Sequence, residues 1–289
     1  MQYKKPPRAL PGVLLGALLL SAAAPAQIVP PPQQATDQQA YSYADLADLA
    51  GLAPVAADVQ IRESIRLKGA DAAGVPPGTA RFFLVADVLS LLRGAQGLPG
   101  QVRFLADFPL DASNRAPRLK KARFLLLGAL VPGKPGELRL VAPGALMAWT
   151  AERDARLRGV LTEMVARDAP PRVTGIGHAF HVPGSLPGES ETQIFLTTAD
   201  NRPVSLSILR RPGEEPRWSV ALGEMVDEAA KPPAPDTLLW YRLACFLPAT
   251  LPDSATDDLS PADAEAARAD YALVTAGLGS CVRHFGGAG

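Results

Sequence analysis

The sequence predicts a mainly β first half followed by an α+β second half, and three observations carry that expectation. Residues 59–67 and 101–108 alternate apolar and polar side chains with the period of two that a strand requires. Residues 157–165 switch to the i, i+3, i+4 spacing of a helix with one buried stripe. Clusters of Gly and Pro then punctuate the chain at short intervals, as short connections between antiparallel strands demand. The first half, 41–145, therefore reads as a small five-stranded barrel. The second, 150–289, reads as an α+β domain with an antiparallel meander and C-terminal helices.

The chain opens with Lys4, Lys5 and Arg8, then an apolar stretch from Val13 to Ala24 and the small residues of Ala24-Pro25-Ala26. This is the three-part pattern of a cleavable secretory signal over 1–26, cut after Ala26, and it predicts a periplasmic or secreted protein. The apolar run is shorter than the roughly 20 residues of a spanning helix, so no transmembrane anchor is expected after cleavage. Residues 27–40 form a Pro/Gln-rich tether with almost nothing to bury, which predicts disorder.

Order is expected from Ser42, which is placed to cap a short helix bearing Leu46, Leu49 and Leu52. Five strands follow. In 59–67 one face carries Val59, Ile61, Ile65 and Leu67. The segment 81–92 is apolar at nearly every position, as in a strand covered on both faces. Residues 101–108, 124–131 and 137–141 complete the set, with Pro132-Gly133-Lys134-Pro135-Gly136 turning the chain between the last two.

Past a boundary near Pro143–Ala148, Thr150 begins a helix running to about Arg167, with Leu157, Val160, Leu161, Met164 and Val165 on one stripe. Strands are expected at 172–182, 192–199, 204–210 and 216–221, and a short helix at 222–230. Asp236 is placed to cap a helix over 237–247 that is apolar on every side and therefore buried. Ser260-Pro261 starts the last helix, which runs to about Gly277.

Composition narrows the function classes. A chain 47% hydrophobic and 20% charged is globular, and its zero net charge argues against a nucleic-acid binder. The halves differ in charge, +4 over 41–145 and −6 over 146–289, which supports a boundary between them.

The segments YADLADLA, PRLKKARFLLLGALVPGKPGELRLVAPGA, PPRVTGIGHAFHVPG with ETQIFLTTAD, and PDTLLWYRLACFLP with ADYALV span nearly the whole mature chain. In these segments the protein resembles an uncharacterised family of secreted proteins from sphingomonad-type bacteria. The resemblance implies export and no particular activity. In the first half, ADVQIRESIRL, FFLVADVLSLLRG and RFLLLGALV resemble the OB-like barrels of secreted netrin-like and inhibitor modules. Those modules carry disulfides, whereas 41–145 has no cysteine, so the likeness is one of fold alone.

The chemistry-bearing residues are few. Of three histidines, His178 and His181 lie three apart on an expected strand and so point to opposite faces, while His284 lies near the C-terminus. No metal set is expected among them. Ser185 lacks the first glycine of the G-x-S-x-G elbow, and Gly175-Ile176-Gly177 lacks the third glycine of a dinucleotide fingerprint. No cofactor is implied. Glu189, Glu191 and Asp200 are loop carboxylates that face water in the ordinary case and a cation in the functional one. Arg115, Arg118, Lys120, Lys121 and Arg123 place five positive charges in nine residues, either a solvated loop or an anion-binding patch.

The function that fits is an extracytoplasmic binding or interaction protein, non-enzymatic, with an unknown protein or cell-envelope partner and no nucleic acid. The alternative is a periplasmic hydrolase using paired carboxylates, which leave no short motif. Two carboxylates in a deep pocket would favour the enzyme, and a shallow apolar patch the binder. The two cysteines, Cys245 and Cys281, are expected to form a disulfide, since export leads to an oxidising compartment.

Overall fold

A computed structural model describes residues 1–2, 41–223 and 231–285. The secretory signal from residue 3 on, the cleavage site at Ala26, the tether and residues 224–230 of the helix expected at 222–230 lie outside the described residues, and Leu222 and Gly223 are not helical. The chain from Gln39 to Gly289 clusters as one compact unit.

Helix α1, Tyr43–Leu52, begins as a capping box: the Ser42 hydroxyl accepts from the Asp45 N–H, and the Asp45 carboxylate accepts from the Ser42 N–H. The strands β1 (Val55–Arg66), β2 (Thr79–Arg93), β3 (Gln101–Pro109), β4 (Arg123–Leu130), β5 (Leu138–Leu140) and β6 (Leu146–Ala148) form one antiparallel sheet. Its order is β3-β2-β1-β4-β5, with β6 also pairing β4. The sheet is mainly β as expected, but it has six strands rather than five, because the three-residue β6 falls where the sequence placed a boundary. It is also not a closed barrel. Among the described residues its two ends meet at one parallel bridge, Arg103–Glu137, where Arg103 N–H donates to Gly136 C=O at 2.7 Å.

One face of this sheet buries Val59, Ile61, Phe82, Leu84, Val102, Phe104, Phe124 and Leu126, and Leu119 of the β3–β4 loop plugs the same core. The other face of β4 sends Leu125 and Leu127 into a second core. Strand β4 is therefore buried on both faces, which explains the unbroken run Phe124-Leu125-Leu126-Leu127. The same was expected of 81–92, and there the structure differs. Outward residues of β2 are only partly covered, and Leu89 and Leu91 are exposed. An all-apolar strand reports hydrophobicity on both faces, and does not say whether both are covered.

The second sheet is a meander, β7 (Val173–Pro183), β8 (Ser190–Thr198), β9 (Val204–Arg210) and β10 (Arg217–Ala221), in the order β10-β9-β8-β7. Against its inner face pack α2 (Ala151–Val165), α3 (Leu238–Ala244) and α4 (Pro261–Leu278). Their core draws on Leu157, Ile194, Leu206, Ile208, Leu243, Tyr271 and Val274. It also takes in Leu46 and Leu49 of α1, so the first helix joins the core of the second half rather than that of the strands it precedes.

Caps set the helix limits. Thr150 and Ser260 cap α2 and α4 as the sequence indicates. Helix α3 is shorter than expected and is capped by Thr237, whose hydroxyl accepts from the Trp240 N–H. Asp236 instead takes a positive φ of 58°, one position before that cap. On α2, Val165 is exposed at the C-terminal end of the expected stripe.

Cys245 and Cys281 are bonded, with Sγ–Sγ 2.04 Å and Cα–Cα 5.1 Å. The bridge ties the end of α3 to the segment after α4. Beyond it, residues 283–285 form a strap held on α1. Arg283 pairs with Asp48 at 2.6 Å, Asp45 accepts from the N–H groups of His284 and Phe285, and the Phe285 ring stacks on Tyr41 at 4.5 Å. Burial pushes the Asp45 carboxyl up, but hydrogen bonds from His284, Ser42 and Phe285 more than offset this and hold it below the usual aspartate value. Burial also pushes the Tyr41 hydroxyl up to about 12.

Candidate binding surface

The outer face of the second sheet carries an aromatic cluster whose placement depends on an irregularity in β7. Between Ile176 and Ala179 this strand advances three residues while β8 advances two, from Leu196 to Ile194. Such a bulge reverses the side-chain alternation. Ile176 and Ala179 both face the core as a result, and His178, Phe180 and Val182 face outward. Phe195 of β8 joins them. The His178 and Phe180 rings lie 5.5 Å apart and nearly perpendicular, Phe180 and Phe195 5.9 Å apart and perpendicular, and His178 and Phe195 5.4 Å apart. Edge-to-face pairs of this kind hold each ring by the quadrupole of the next.

The cluster is open to solvent. Phe180 is 51% exposed and Val182 62%, and Leu186 of the following turn and Leu209 of β9 are exposed as well. In register beside them lie Gln193, opposite Phe180, and Glu191, opposite Val182 and Leu209. Arg217 of β10 faces Leu209, so Glu191 and Arg217 flank Leu209 with opposite charges. The exposed face thus sets a packed aromatic cluster directly beside polar side chains of β8 and β9.

Directly behind it, on the inner face, sits a buried polar network. Asp270 of α4 is fully buried and pairs with Arg210 of β9 at 2.6 Å. It also accepts from the Thr192 hydroxyl, and His181 Nδ1 lies 2.8 Å from that same hydroxyl oxygen. With the one hydroxyl proton given to Asp270, the Thr192 oxygen accepts from His181, which places the imidazole proton on Nδ1. Strands β7, β8 and β9 are thereby locked to α4 beneath the aromatic rings. The signal for this network was in the sequence: Asp270 occupies the stripe of Ala267, Tyr271 and Val274, where a carboxylate must be paired.

His178 and His181 do point to opposite faces, because regular alternation has resumed by His178. Among the described residues no group of three or more His, Cys, Asp or Glu is arranged to hold a metal ion. Ser185 lies in the β7–β8 turn, where the Glu189 carboxylate accepts from the N–H groups of Ser185 and Leu186, so both residues serve the loop. Asp200 pairs with Arg202, which holds its carboxyl below the usual range. Glu191 faces the aromatic surface.

The basic run divides. Arg115, Arg118, Lys120 and Lys121 are exposed. Arg123 belongs elsewhere: it makes a two-pronged pair with the buried Asp58, at 2.9 and 2.5 Å, and stacks on Trp149 at 3.7 Å. Of the five cations in the expected patch, four are exposed and Arg123 is committed to Asp58. A separate shallow depression of about 390 Å³ lies between the β2–β3 and β4–β5 turns, lined by Pro99, Leu130, Pro132 and Lys134. Among the described residues no helix is long and apolar enough to cross a membrane. No family model matches the chain, and no curated protein matches it either.

Proposed function

We propose that this is an extracytoplasmic binding protein, non-enzymatic, that engages a protein partner of the cell envelope through the outer face of β7 and β8. The observation that carries the reading is the three-ring cluster of exposed His178 and Phe180 with half-buried Phe195, mutually packed and backed by the Asp270 network. Rigid aromatic side chains give large contact area at little entropic cost and are the usual anchors of interfaces. The adjoining Val182 and Leu209, with Glu191 and Arg217 of opposite charge, fit a partner presenting an apolar anchor on a neutral surface. The leader over 1–26, the paired cysteines and the resemblance to a secreted family all favour export. We read the six-stranded sheet as OB-like in its strand order although it is not closed, because the order β3-β2-β1-β4-β5 and the parallel bridge Arg103–Glu137 place β3 beside the start of β5 as that topology does.

The test is site-directed photo-crosslinking in intact cells, with the reactive side chain introduced at Phe180 or, as a control, at the exposed Ala155 of α2. The reading expects one reproducible protein adduct at Phe180 that is absent at Ala155 and lost when Phe195→Ser is added. Equal labelling at the two positions would overturn it.

A further inference from the structure

Among the described residues ten glycines hold a positive φ, and so do four other residues. Three of the four are Asn114, Asn201 and Asp236, whose short polar side chains tolerate the left-handed region. The fourth is Lys121, at 68°. It is the third residue of the turn Leu119–Ala122, closed by the Ala122 N–H donating to the Leu119 carbonyl at 2.9 Å. A turn with positive φ at that position alone is of type II, and it favours Gly or Asn there. A lysine is held in the strained position instead.

The backbone accounts for the turn and leaves the side chain unexplained. The Lys121 N–H donates to the Ile61 carbonyl at 2.8 Å, and the Ile61 N–H donates to the Ala122 carbonyl at 2.8 Å. The Gln60 amide donates to the Lys121 carbonyl at 3.3 Å. Each of these bonds uses a main-chain group of residues 121–122 and is equally open to glycine or asparagine. The Lys121 side chain itself is exposed.

The remainder of the loop is equally well fixed. Asp111 Oδ1 accepts from the N–H groups of Ser113 and Arg115, each at 2.8 Å, and the Asp111 N–H donates to the Arg115 carbonyl at 2.9 Å. Leu119 is buried in the first core. Arg115, Arg118, Lys120 and Lys121 thus project from a backbone pinned at both ends and in the middle. Among the described residues none of the four is in an ion pair. The one carboxylate on the loop, Asp111, is turned to its own backbone.

We propose that this loop is a binding site for a multiply charged oxyanion, with clustered phosphate the matching chemistry. Two guanidinium groups supply forked donors to phosphate oxygens, and two ammonium groups supply compact charge. Preorganisation of the backbone removes the ordering cost that a mobile basic loop would incur. The same phosphate oxygens are offered by the headgroups of an anionic bilayer and by a soluble polyphosphate.

The experiment uses the mature chain in two arms, calorimetric titration with tripolyphosphate and co-sedimentation with phosphatidylglycerol vesicles, each at about 25 and 150 mM salt. The parent is compared with Lys121→Asn, which keeps the turn and removes the charge, and with that change combined with Lys120→Gln. Binding is expected in at least one arm, weaker at the higher salt, about threefold to tenfold weaker in Lys121→Asn and weaker again in the double variant. The arm that responds names the source of the phosphate. The melting temperature of Lys121→Asn is expected to equal or exceed that of the parent, since the strain is relieved. Absence of binding in both arms at the lower salt, unchanged binding by Lys121→Asn, or a lower melting temperature for it would each overturn the proposal.

Discussion

Breaking the Cys245–Cys281 bridge is the perturbation whose size follows most directly from the fold. The bond joins residues 36 apart in sequence. For a closed loop of that length the chain-entropy model gives a loss of unfolded-state entropy of about 13 cal/mol/K, or about 3.8 kcal/mol at room temperature. For a domain of this size each kcal/mol moves the midpoint by about 2–4 °C, so Cys245→Ala with Cys281→Ala is expected to melt about 8–15 °C lower. The loss has a definite location. Trp240 donates from Nε1 to the Leu278 carbonyl at 2.8 Å beside the bridge, and the strap 283–285 follows it onto α1. Calorimetry with and without reductant gives the magnitude, and hydrogen exchange over 279–285 and α1 gives the place. A reduced protein that melts within about 2 °C of the oxidised one, with unchanged exchange over the strap, would refute the reasoning. It would mean that packing of α4 alone sets the stability of this end.

Other expectations follow from the same contacts. Gly144 holds a φ of +81°, and a Cβ there would lie 2.6 Å from the Phe285 ring, so Gly144→Ala should release the strap and cost about 1–2 kcal/mol, read by denaturant unfolding and by exchange at His284. The Asp45 carboxyl is held below its usual value, so its contribution is complete above the unfolded value near 3.8 and is lost as the pH falls through the lower folded value. Protection of the amides at 283–285 relative to their intrinsic exchange should therefore fall in that acid window in the parent and fall less there in Asp45→Asn. Asp270→Ala strands Arg210 beside a buried cavity and should destabilise by about 3 kcal/mol, while Thr192→Val should cost less because the Arg210 pair survives. Separate fragments 41–145 and 150–289 should each fail to fold, since α1 lies in the core of the second half. Soluble, cooperatively melting fragments would contradict this.

Much of the architecture was legible because each signal was local. Ser42, Thr150 and Ser260 are caps that need only the next turn of helix to work, and all three start helices. The four strands of the meander are separated by turns whose residues declare themselves. The cysteine pair was legible because no other partner exists for either. What escaped was non-local. Whether Phe83 of β2 or Leu125 of β4 is covered depends on which elements arrive later in the chain. The apolar run of 81–92 is partly open on one face, while Leu125 and Leu127 are fully buried. The bulge at Ile176–Ala179 decides which of the β7 side chains meet solvent, yet Gly175-Ile176-Gly177 marks only that some irregularity is tolerated. Arg123 looked like one more cation of a run because its partner, Asp58, lies 65 residues away.

The same pairing has a consequence for how the molecule works as a unit. Asp58 sits on β1 and Arg123 on β4, and the guanidinium continues onto Trp149, the residue before the Thr150 cap of α2. Arg158 of α2 extends the chain of contacts through Asp154 and back towards Ser90 of β2. Strand β4 meanwhile gives alternate side chains to the two cores. The first sheet and the helical layer are thus joined by a shared strand and by a line of charged groups, and the disulfide-anchored strap holds α1 through Asp45 and Asp48. A surface built on β7 and β8 is carried by this frame through α4 and Asp270, and none of its aromatic rings depends on a loop for position. That rigidity suits a preformed patch, so under the proposed function a partner's affinity should track the side chains at 178, 180 and 195 and be insensitive to substitutions in the turn at 200–203.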